Sequence, residues 1–112
     1  MAKAVAAKLG TTLREGVLAY YPNTPYEAAA EVRAIRTLGG DATGSSLINE
    51  AIAVVHMGVP VLAISSIVNF AEGVSPTPLS HDEVIGKGEE MLEPFSELMD
   101  EIIRQILLPL TR

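Results

Sequence analysis

The stretch "VLAISSIVNFAEGVS", residues 61 to 75, decides how this chain is read. Val61, Leu62, Ala63 and Ile64 run without polar interruption, as in a strand covered on both faces. Ser65, Ser66 and Asn69 follow where the apolar run gives out. An asparagine closing a core strand is either a turn former or an amide that reads a ligand.

Working upstream, "LINEAIAVVHMG" predicts a helix, with Leu47, Ile48, Ala51, Ile52 and Val55 on one side and Gly58 as its stop. "DATGSS" (41–46) reads as a short strand ending in small residues. "YEAAAEVRAIRTLGG" (26–40) reads as a helix, with Ala28, Val32, Ile35 and Leu38 at helical spacing and Gly39-Gly40 ending it. "PNTP" (22–25) has turn chemistry, and "REGVLAYY" (14–21) favours a strand. Residues 2 to 9 read as the end of a helix, stopped by Gly10. Downstream, residues 70 to 80 are a loop. Ser80 and Glu83 make a capping-box pattern that starts a long C-terminal helix, which Pro94 is expected to bend. Helix and strand alternate along the chain, with three strands in all. The fold class expected is α/β: a partial three-layer sheet with helices on both faces.

Composition narrows the functional classes. The chain has 112 residues, which suits a single domain over 1–112. It is 48% hydrophobic with a mean hydropathy of +0.30, so it builds a core and leaves apolar surplus for a partner surface or a missing half. A net charge of −6 argues against nucleic acid, which requires basic patches. With no Cys there are no disulfides or thiolate metal sites, and a cytoplasmic setting fits. "MAKAVAAKLG" is too short and too charged for a signal peptide. Residues 51 to 68 carry no formal charge and reach spanning length. His56, the Gly58-Val59-Pro60 break and the paired serines divide them into a helix and a strand, so no membrane partner is expected.

In open α/β sheets, ligands gather beyond the carboxyl ends of the strands. Tyr26 and Glu27 follow the first strand, Gly44, Ser45 and Ser46 the second, and Asn69 the third, with His81 beyond the loop. Together they suit a small, planar, polar ligand. Tyr26 can stack on a ring, Glu27 accepts hydrogen bonds from ring N–H or amino groups, and Asn69 donates and accepts at once. Ser46 at a helix start suits an anion. Each also has a plain structural reading. Glu27 complements a helix macrodipole, Ser46 is an N-cap, Asn69 is a turn residue, and His81 is exposed at a helix start. His56 lies mid-helix and is read as structural.

These residues resemble the purine nucleoside phosphorylase family of the trimeric class, which includes methylthioadenosine phosphorylases. The resemblance covers residues 14 to about 107. The family's G-P-S-[YF]-E-T-P-A-E-[IV]-R segment is matched by "NTPYEAAAEVR", its G-M-S-T-x-x-E by "GSSLINE", its I-S-x-x-[TV]-N by "ISSIVN" and its L-S-H-x-E-V by "LSHDEV". The resemblance implies the family's C-terminal half, without the N-terminal half that carries the phosphate loop. It implies a transferase of purine salvage, reversibly phosphorolysing 6-oxopurine nucleosides to purine and ribose 1-phosphate. Glu27 would bond the purine, and Tyr26 would lie against base or sugar. Asn69, the catalytic candidate, would hold the base as it leaves. Ser45 stands at a ribose-contacting position, Ser46 would touch phosphate, and His81 would sit near the sugar 5′-hydroxyl. No metal or organic cofactor is implied, phosphate being a co-substrate. The implied partners are nucleoside, phosphate and either a complementary N-terminal half or further copies in a trimer or hexamer. The chain departs from the pattern at Asn23-Thr24-Pro25, at Ala28-Ala29 and at Ser45, where the family has Met. A non-catalytic purine-binding or self-assembling relative is the alternative.

Overall fold

The computed structural model describes residues 1–20, 26–78 and 80–108. Along them run α1 (Ala2–Lys8), β1 (Leu18–Ala19), α2 (Ala29–Thr37), β2 (Ala42–Thr43), α3 (Ile48–His56) and α4 (His81–Leu107). Gly10, Gly39 and Gly58, the residues read as helix stops, all take positive φ. The turn at 22–25, with the departures at Asn23, Thr24 and Pro25, lies outside the described residues.

α1 begins in an alanine-rich sequence with strong helix propensity. Its Val5 and Ala6 bury fully against Leu98 and Ile102, one turn apart on α4. Leu9, Leu13 and Ile64 pack around this cluster. The sequence ends of the chain are therefore joined by its tightest packing. A second apolar pair, Val32 and Ile35, is buried along one face of α2.

β1 and β2 pair in parallel, with Leu18 opposite Ala42 and Ala19 opposite Thr43, and α2 makes the crossover that a parallel pair requires. Asp41 secures the entry: its Oδ2 accepts the Val17 N–H at 2.8 Å, and its own N–H donates to the Val17 carbonyl at 2.9 Å. Gly40 lets α2 return closely to the sheet. A Cβ there would stand 2.5 Å from Ile35 Cγ2 and 3.2 Å from Ala19 Cβ. The fold is thus mixed α/β, with a two-stranded parallel sheet and a long C-terminal helix.

Two expectations are corrected. Residues 61–68 form no strand in this chain. Val61, Leu62 and Ile67 are 41%, 52% and 62% exposed. Strand character is a property of pairs: a β-prone segment becomes a strand only when a neighbour completes its hydrogen bonds. Ile64 packs against the α1–α4 cluster. The capping box at Ser80 also fails to form, because Ser80 is extended but its side chain makes no cap bond. The reciprocal carboxylate bond appears instead at α2, where Glu31 accepts the Ala28 N–H at 2.7 Å. Pro94 lies inside α4, which continues to Leu107. His56 closes α3 and is exposed.

Candidate active site

Because β1 and β2 are parallel, their carboxyl ends share one edge, and the chain leaving each supplies the candidate residues. Tyr26 and Glu27 lie just before α2; Ser45 and Ser46 follow β2 directly. Glu27 is tied to this edge: Thr43, the last residue of β2, donates its hydroxyl to Glu27 Oε2 at 3.2 Å. A carboxylate held by one hydroxyl keeps most of its acceptor capacity for another donor.

Tyr26 reaches across 55 residues to His81, with its hydroxyl 2.8 Å from Nδ1. Their ring centroids are 6.3 Å apart and the planes are inclined by 59°. His81 is the first residue of α4. The α1–α4 core therefore fixes the axis that carries this imidazole to the sheet edge.

The loop after Asn69 also approaches the start of α2. Gly73 packs so near Ala29 that a Cβ at 73 would be 2.8 Å from the Ala29 Cβ, and its φ of +75° is one that side chains resist. Asn69 itself is half-buried. Its Nδ2 donates to the adjacent Phe70 carbonyl at 2.9 Å, the local bond of a turn residue.

Ser45 and Ser46 are exposed. Ser46 is not the N-cap of α3. That position falls to Leu47, at φ 66° and ψ −23°, a left-handed conformation that costs a branched side chain about 1–2 kcal/mol. The Ser46 carbonyl accepts the Ile48 N–H at 2.9 Å, bending the chain so that both serines precede the helix. Strain of this kind concentrates where a structure must present particular groups.

The structure thus joins Tyr26 to His81 directly and Glu27 to the end of β2, beside Ser45 and Ser46. It leaves Asn69 bonded to its own loop. Thr43 was missed in the sequence, where it is one small residue in "DATGSS". Its signal was the parallel register, which only β1 can reveal. Among the described residues, no group of three or more His, Cys, Asp or Glu is placed to hold a metal, and no helix is long and apolar enough to cross a membrane. Hollows of about 340 and 530 Å³ lie along α1 and α4; none of the candidate residues lines either.

Comparison with known proteins bears on this edge. The model of the phosphorylase superfamily matches residues 1–104. Purine nucleoside phosphorylase 1 of Geobacillus stearothermophilus is 42% identical over 106 residues, covering 95% of this chain and 39% of that protein. The purine nucleoside phosphorylase of a Cellulomonas species is 45% identical over 101 residues, covering 90% of this chain and 36% of that protein. Purine nucleoside phosphorylase 1 of Bacillus subtilis is 40% identical over 105 residues, covering 94% and 39%. The chain therefore spans less than two-fifths of the length of these relatives.

Proposed function

This chain belongs to the phosphorylase superfamily, and from that premise we propose that it is the C-terminal, base-binding part of a purine nucleoside phosphorylase. The reaction is reversible phosphorolysis of 6-oxopurine nucleosides. A phosphate oxygen attacks the anomeric carbon while the bond to the base breaks, and the base departs with the bonding electrons. The observation that carries this reading is the pairing of Tyr26 with His81 and of Glu27 with Thr43, the last residue of β2.

Each residue then has a task its chemistry suits. Glu27, steadied by Thr43, accepts from a purine N–H. Tyr26 lies against base or sugar. Asn69 turns its amide from the Phe70 carbonyl to the departing base, where a donor stabilises the growing negative charge. Ser45 borders the ribose, Ser46 donates to phosphate, and His81 meets the sugar 5′-hydroxyl. Phosphate is a co-substrate, and no metal or organic cofactor takes part.

One serine cannot hold a phosphate dianion in line for attack, which takes several preorganised donors. The remaining length of the family fold is the proposed source of those donors. It is also the proposed neighbour of residues 61–68, which would become an inner strand of a three-layer sheet with helices on both faces. The surface area supports this. The chain exposes 8653 Å², against about 6,000 Å² for a compact monomer of this mass. The surplus is on the scale of an obligate interface, roughly 2,000 Å² or more. The proposed setting is cytoplasmic, with this chain completed by an N-terminal half or by further copies in a trimer or hexamer.

The test is reconstitution with a complementary N-terminal phosphorylase part, followed by an inosine phosphorolysis assay. Hypoxanthine and ribose 1-phosphate are expected only from the assembly. A soluble, folded assembly without turnover overturns the reading. Tight hypoxanthine binding in that case favours a non-catalytic purine-binding protein.

A further inference from the structure

We propose that Tyr26 is a positioning residue for His81, fixing the imidazole with its proton on Nε2 so that this N–H is the donor offered to the substrate's sugar. The inference rests on the reading above, in which His81 meets the 5′-hydroxyl. It starts from the 2.8 Å approach of the Tyr26 hydroxyl to His81 Nδ1. A neutral imidazole carries one N–H and one lone pair, and the partner at one nitrogen decides which is which. With the phenolic O–H donating to Nδ1, the ring proton resides on Nε2, at the ring edge away from Tyr26.

Tyr26 is 37% exposed and His81 is exposed, so the pair stands at the surface of this edge. The planes are inclined by 59°, so the rings meet through the hydrogen bond and do not stack. Helix α4 brings the imidazole to the edge, and the hydroxyl of Tyr26 selects its orientation and tautomer. Phenylalanine at 26 would keep the ring and lose this selection.

Two readouts test the proposal in the reconstituted assembly. With only this chain ¹⁵N-labelled, long-range ¹H–¹⁵N spectra report the tautomers of its two histidines, and His56→Gln assigns them. We expect His81 protonated at Nε2 with Nδ1 accepting, and Tyr26→Phe moving the Nδ1 signal to that of a free imidazole. In kinetics, Tyr26→Phe should lower kcat/KM about tenfold for inosine and about twofold or less for 5′-deoxyinosine, the scale of one oriented hydrogen bond. A His81 protonated at Nδ1, an Nδ1 signal unmoved by Tyr26→Phe, or equal losses on both nucleosides overturns the proposal. The spectra require no turnover, so an inactive assembly counts against the proposed function while the tautomer still decides this inference.

Discussion

Asn69 shows how much a single side chain depends on its setting. Its amide now spends one donor on the neighbouring carbonyl, a bond that a stronger acceptor can displace because the ring of contacts it closes is local. In the reconstituted enzyme, Asn69→Ala should lower turnover of 6-oxopurine nucleosides roughly 10²-fold, the cost of one lost transition-state donor. Unchanged steady-state kinetics would remove Asn69 from the mechanism. At the other end of the chain, Lys3 Nζ lies 2.7 Å from Glu15 Oε1. The hydrogen bond from Lys3, and then its charge, hold the Glu15 carboxyl below its ordinary value. A carboxylate depressed in the folded state adds stability that is full above its unfolded value and fades as pH falls through the folded one. Both groups are exposed, so the contribution is small and screened by salt. Titration followed by NMR should place Glu15 below an ordinary glutamate, and Lys3→Met should return it there.

Among the elements, α4 does two kinds of work. Its C-terminal half packs on α1 through Leu98 and Ile102, and its first residue presents an imidazole to Tyr26. Replacing Ile102, 1% exposed, with alanine removes methyl groups from the tightest cluster and should cost about 2–5 kcal/mol. The neighbouring Ile103, 46% exposed, should lose less than about 1 kcal/mol on the same change in this chain. Urea unfolding of both variants checks the contrast, and equal losses would displace the core from where it is drawn here. The helices were legible in the sequence because their apolar spacing and glycine stops are local signals. The caps were less so. Ser80 offered the right pattern without forming the bond, whereas Ala28, with no capping side chain, was served by Glu31. A cap forms only if the preceding backbone aims the side chain, and the residue type does not fix that.

The whole molecule is extended. Its radius of gyration is 16.1 Å, against about 13 Å for a compact domain of this length. The 27-residue α4 accounts for much of that, at about 40 Å of helix. An apolar chain that stays extended leaves surface for something else to cover. Hydrogen exchange should find the amides of residues 61–68 exchanging freely in this chain alone and protected in the reconstituted assembly. Fast exchange in both would leave the segment outside the completed sheet.

By itself the sequence determined the helices and the parallel β1–α2–β2 unit. It also put Tyr26, Glu27, Ser45 and Ser46 after strands and His81 at a helix start. Those features follow from periodicity, turn chemistry and the rule that parallel strands share a carboxyl edge. Only the tertiary structure decided that α1 and α4 make the core, that Thr43 holds Glu27 and that Tyr26 bonds His81 across 55 residues. It also decided that "VLAISSIVN" forms no strand among the described residues. These are contacts between distant parts of the chain. Each needs a partner in a particular register, and no local pattern of residues records which partner is present.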